Sequence, residues 1–280
     1  MKKTDFLLRM SLWGAVAIAV LGVILRTVCV LFFFDGDIGY FNSSAVSFVT
    51  QGLSVLSVVF CGVVCIIIPK GVLPTSDCRG TSRLSLSLAL PSLLLGAFAV
   101  AQLISPLVPS GSSLSRISLF ATILALGGCV CGLSALLTHR ADVKGKCTAG
   151  LGFLTAAWAI LCLADLYFDL LTPMNSPVKT IMEFAFLSVA LLAITELRFL
   201  YDKAHPRMAA AVYGIASYFT LTAGVSTLAS IAVSPFKLSN VIYAVALTGM
   251  GIYAVTRLFG YLLPQTQVPS GHEPSQEDAL

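Results

Sequence analysis

MSLWGAVAIAVLGVILRTVCVLFFF, residues 10–34, carries a single charge, Arg26, in 25 residues. As a helix it would rise about 37 Å at 1.5 Å per residue, more than the ~30 Å of a bilayer's hydrocarbon core. Seven further stretches share its character: 44–68, 84–108, 116–138, 148–171, 179–201, 208–233 and 239–262. The segments are too long for barrel strands, which would read as ~10-residue alternating runs. The expected fold is therefore all-α: a polytopic integral membrane helical bundle of eight transmembrane helices forming one domain over 1–262. The polar tail, 263–280, is expected to be disordered.

Composition agrees with this reading. Charged residues make up only 11% of the chain and the mean hydropathy is +0.93, whereas a soluble domain carries about 25% charged residues. The longest connection, Pro69 to Arg83, has 15 residues, far short of an independently folding domain. Any chemistry must then occur in or at the membrane.

The placement of basic residues sets the orientation. Lys2, Lys3 and Arg9 precede the first span; Lys70, Arg79 and Arg83 follow the second. Arg140, Lys144 and Lys146 follow the fourth, Arg198, Lys203 and Arg207 the sixth, and Arg257 lies near the end of the eighth. The alternate ends hold only Arg116, Lys179 and Lys237. Because cytoplasmic loops are enriched in Lys and Arg, both termini are expected in the cytoplasm, with Asp35 and Asp37 outside. Ala15, Ala17 and Ala19 match a small-residue cleavage pattern, but the apolar run continues to Phe34. That exceeds the 7–15 residues of a signal core, so the first span is expected to be retained.

The informative residues are those that are costly to bury. A charge inside the bilayer costs at least ~2.5–3.5 kcal/mol on insertion scales and calls for a partner or a wet cavity. Arg26, Asp165, Asp169 and Glu183 are expected at similar depths toward the outer side, as one intramembrane polar cluster. It would serve either as an ion-pair latch between the first, fifth and sixth helices or as a site for an ion or substrate. At the inner end, Glu196, Arg198, Asp202, Lys203 and Arg257 are expected to snorkel to the headgroups.

Two weakly polar stripes recur at helical spacing. One runs through Ser47, Thr50, Gln51, Ser54, Ser57, Cys61 and Cys65; the other through Tyr213, Ser217, Thr220, Gly224 and Thr227. Such stripes serve helix packing or line a solute path. Gly128-x-x-x-Gly132 is a close-approach pattern for helix pairs. Pro91, inside the third span, is expected to kink it or free a carbonyl. The first and fifth spans both end in aromatic-acidic text, LFFFD (31–35) and LYFD (166–169), which raises a four-plus-four duplication.

No chemical signature accompanies these features. Phosphate loops, H-E-x-x-H and G-x-S-x-G patterns are missing from the sequence. His139, His205 and His272 lie outside the spans, so no intramembrane histidine metal centre is expected, nor any cofactor. Scattered basic residues with no aromatic platform imply no nucleic-acid partner. The bilayer itself is the expected partner, joined by a small solute or ion, or by other membrane proteins. The hydroxyl stripes and buried charges point first to a small-solute or ion transporter-like role. The alternative is a non-catalytic scaffold or accessory subunit, and an intramembrane enzyme ranks last.

FFDGDIGYF (33–41), ELRFLY (196–201) and Pro206-Arg207 resemble a group of multi-pass proteins of anaerobic Gram-positive bacteria with no assigned activity. The resemblance implies a bacterial plasma membrane and contributes no active residue.

The orientation has a direct check. A fluorescent protein fused to the C-terminus should fluoresce, and alkaline phosphatase inserted after Ser112 should be active; the reverse pattern would invert the topology.

Overall fold

The computed structural model describes residues 3–35, 39–68, 81–108, 115–169, 173, 176–201, 203, 205–233 and 238–262. The 263–280 tail and most of the 69–83 connection lie outside the described residues. Eight helices form: α1 (Lys3–Phe33), α2 (Ser44–Ile67), α3 (Thr81–Ile104), α4 (Arg116–Leu137), α5 (Ala141–Phe168), α6 (Pro177–Leu200), α7 (Pro206–Ser230) and α8 (Leu238–Leu262). All eight contain a span long and apolar enough to cross a membrane. The chain is a multi-pass, all-α membrane protein.

Helix starts follow local chemistry. Pro177 and Pro206 open α6 and α7, where a missing N–H costs nothing. Ser115 caps α4, its Oγ accepting from Ser118 N at 2.9 Å. α1 and α5 begin about seven residues before the apolar runs that mark them, because a helix need not stop where the hydrocarbon does. Pro91 sits within α3 without ending it. Between α1 and α2, β1 (Phe34–Asp35) pairs antiparallel with β2 (Tyr40–Phe41). Gly39, at φ +78°, turns the chain back and donates its N–H to Asp35 O, a conformation in which a side chain would be strained.

Packing contacts run α3–α4–α5–α6–α7–α8 and back to α3, closing a ring of six helices. α1 and α2 stack on the outside of α7, so α7 touches α1, α2, α6 and α8. The helices alternate in direction. The C-terminal part of α1, the ribbon, and the starts of α4, α6 and α8 share one end with the close of α5. This is the ribbon end. The opposite, terminal end joins the start of α1 to the close of α8 through Trp13 and Phe259. Inside the ring, Trp158 meets Phe98 and Phe186 edge-on at 5.2 and 5.9 Å, and Tyr243 lies tilted against Phe98 and edge-on to Phe186. The ring interior is therefore an aromatic plug.

Small residues allow the closest approaches. A Cβ on Gly224 of α7 would stand 2.7 Å from both Ala244 O and Thr248 N of α8. The Gly128/Gly132 pair receives α3: a Cβ on Gly128 would come within 2.7 Å of Leu95 Cδ1. The duplication finds no counterpart in the packing. α6 lies extensively on α7, whereas α2 and α3, four positions earlier, make no comparable contact.

Gly224→Ala should therefore destabilise the bundle by about 1–3 kcal/mol through overpacking, read as an earlier unfolding transition in detergent. Gly52→Ala, which meets nothing within 4 Å, should leave it unchanged.

Candidate functional site: a buried polar belt and a lateral groove

Arg26 lies on α1, two turns from its end, and is only 5% exposed. Its Nη2 donates to Pro177 O at 2.7 Å, tying α1 to the start of α6. The ribbon brings Phe41 beneath the guanidinium, 4.9 Å from ring centroid to Cζ, within range of a cation–π contact. Nε is buried with no hydrogen-bond partner. No ion pair joins Arg26 to a carboxylate among the described residues.

Asp165 occupies a different station. One carboxylate oxygen accepts from Ser115 Oγ and the other from Tyr243 Oη at 2.6 Å. Because Ser115 also caps α4, the charge sits where the helix dipole favours an anion. This triangle locks α4, α5 and α8 together. Lys179 is buried at 1% exposure and donates Nζ to Tyr167 O (3.2 Å) and Asp169 O (2.9 Å). It satisfies carbonyls that the end of α5 leaves open. Glu183 is half-buried one turn further along α6, and Asp169 is the C-cap of α5.

The expected cluster thus divides. Asp169 lies beside Lys179, with Glu183 one turn on; Asp165 is held by hydroxyls, and Arg26 makes no ion pair with it. Sequence reasoning took Lys179 for an interfacial charge and passed over Tyr243, Ser115 and Phe41. Its position just after Pro177 was the available signal for Lys179, since a lysine opening one helix can reach the carbonyls closing the one before.

The terminal end also departs from expectation. Glu196 and Arg257 do not reach independently for solvent. They form a bidentate pair, Nε to Oε1 at 2.8 Å and Nη2 to Oε2 at 2.9 Å, and Tyr213 Oη donates to Oε1 at 2.7 Å. α6, α7 and α8 are clamped there. Asp202 lies outside the described residues.

Most stripe hydroxyls are satisfied by their own helices. Ser217 donates to Gly214 O, Thr220 to Ala216 O, and Thr50 to Val46 O and Ser47 O. Ser54 donates to Thr50 O and lies 3.2 Å from Tyr218 Oη. Gln51, exposed, reaches back to Ser47 Oγ. Thr227 is buried with its hydroxyl unpartnered.

A wide opening lies at the side. α2 and α6 both pack on α7 but have no extensive contact with one another, leaving a groove of about 650 Å³. Ser54, Val55 and Val59 line one wall, Phe184 and Leu191 the other, and Ile215 and Phe219 of α7 form the floor. Along α6 it runs from Pro177 to Leu191, about 21 Å of helix. Arg26, Gln51 and Thr180 gather at its ribbon end. By contrast, the cavity within the ring beside Glu196 and Pro91 is about 50 Å³, room for a few waters at most. Asp165 lines neither. Comparison with protein-family models, curated proteins and solved structures gave no match, so the reading rests on this geometry.

Separate stations imply separable energies. An Arg26→Gln, Asp165→Asn cycle should be additive within ~0.5 kcal/mol, whereas Asp165→Asn with Tyr243→Phe should couple by ~0.5–3 kcal/mol. Unfolding free energies in mixed micelles would measure both cycles.

Proposed function

We propose that this protein has a transporter-like role for a lipophilic solute that enters sideways from the bilayer rather than through an aqueous channel. The lateral groove carries this reading. Its volume falls within the ~300–1,000 Å³ of small-molecule sites, which are mostly apolar with a few placed polar groups. Its walls follow that pattern, apolar along their length and polar at one end. The ring interior offers less to a hydrophilic solute, since aromatic rings fill it and two donors engage the Asp165 carboxylate.

Basic-residue placement and the resemblance support a bacterial plasma membrane with both termini inside, which puts the polar end of the groove in the outer leaflet. The scaffold alternative rests on the apolar outer face of α2, where Val49, Leu56 and Ile67 are widely exposed. Lipid covers such a face equally well, so it favours neither partner.

Val55 and Leu187 line opposite walls and are largely exposed, so bulk can be added there without repacking the core. Val55→Trp and Leu187→Trp should each reduce the bound amphiphile seen by native mass spectrometry, with thermal unfolding unchanged in lipid-free detergent. Equal adducts in wild type and both variants would remove the groove from consideration.

A further inference from the structure

We infer that the groove selects an amphiphile with an anionic headgroup, a phosphate-bearing lipid whose head lies against Arg26 and whose chain follows α6 toward Leu191. This rests on the groove being a ligand site and adds the chemical class of the ligand.

Three observations support the sign of the charge. Arg26 is a buried cation at the ribbon end of an apolar groove, with no carboxylate ion-paired to it among the described residues. A guanidinium so placed is expensive unless compensated. A carbonyl and an aromatic face compensate only in part, and Nε remains an open donor. The first turn of α6 lines the same end through Pro177 and Thr180. Its N-cap, Ser176, turns its hydroxyl to Gly39 O instead of capping the helix, so Ser176 does not screen the positive end of the α6 dipole. Helix N-termini and guanidinium groups both suit phosphate oxygens.

The rest of the groove argues for a chain attached to that head. Thr50, Ser54, Thr180 and Ser188 all donate to carbonyls of their own helices. Past the ribbon end, the walls are mostly valine, leucine, isoleucine and phenylalanine, and the two serines among them, Ser54 and Ser188, are already bonded to carbonyls of their own helices. Polarity concentrated at one end and hydrocarbon along the remaining length match the anatomy of a bilayer lipid lying beside the bundle. A free inorganic anion would make no use of that length.

The test uses the full chain in a neutral detergent with four probes: phosphatidylglycerol, phosphatidylcholine and diacylglycerol with identical acyl chains, and inorganic phosphate. Binding is read by native mass spectrometry and by the shift in thermal unfolding. Wild type should bind phosphatidylglycerol at least tenfold more tightly than diacylglycerol. Arg26→Gln should remove that preference while keeping residual chain binding. Arg26→Lys, which retains the charge and guards against a folding defect, should keep part of it. If phosphatidylglycerol and diacylglycerol bind alike to wild type and to Arg26→Gln, while Val55→Trp abolishes both, the groove stands and the headgroup assignment falls. A preference for phosphatidylcholine, or a phosphate shift that Arg26→Gln abolishes without any lipid binding, overturns the anionic-lipid assignment. Lipid binding indifferent to Val55→Trp overturns the groove itself.

Discussion

α7 has to be approached by four other helices, and the rest of the bundle depends on that. It is the most deeply buried span, with 72% of its apolar window enclosed. In a bilayer, lipid tails are as apolar as leucine, so helices associate through close packing and small residues. Ala209, Ala210, Ala216, Ala223 and Gly224 give α7 that surface. The same arrangement creates the groove. α2 and α6 each reach α7 from different sides, and the gap between them cannot close without one losing its seat. The groove is thus a by-product of packing on α7, floored by its larger residues, Ile215 and Phe219.

Polar groups are settled according to how far each can reach. Many short hydroxyls, Thr50, Ser54, Ser217 and Thr220 among them, bond back to the carbonyl three or four residues earlier. Carboxylates need donors from elsewhere and find them across helices: Asp165 from α4 and α8, Glu196 from α7 and α8. Lys179 turns to the carbonyls of the preceding helix end. Each of these side chains closes a junction. Arg26 also bridges, from α1 to α6, but through a carbonyl alone, so its positive charge is not neutralised by its partner. Lys179 is likewise held only by carbonyls, but Arg26 in addition keeps a buried donor, Nε, without a partner.

Span positions were legible because crossing hydrocarbon imposes length and apolarity on a contiguous run, and contiguity is what a sequence displays. The helix starts at Pro177 and Pro206 carried a readable signal, proline at the first helical position, that the apolar runs beginning at 179 and 208 do not include. Depth could also be read, since 1.5 Å per residue places Arg26 and Asp165 toward the same end. Their partners could not be read. Whether α1 lies beside α5 depends on helix order in the bundle, and α1 packs on α7 and α2 instead. Lys179 looked interfacial because it stands two residues inside its helix, yet the end of α5 folds over it. The groove is a gap between helices separated by three others in the chain, and no local pattern encodes a gap.

The way α2 is held has a consequence for binding. The ring from α3 to α8 closes on itself, while α2 is held by α7 and, more lightly, by α1. Its side facing α6 gains little from that helix. An occupant touching both walls would supply the contact that α2 and α6 lack, so binding would favour the folded bundle over any state with α2 loosened. The headgroup would act at the same place from another direction, since Arg26 already links α1 to the start of α6. Chain and head would then draw the α1–α2 pair toward α6 together. A groove of this design would couple occupancy to the position of α2, its least-anchored helix, which is what the proposed carrier role requires.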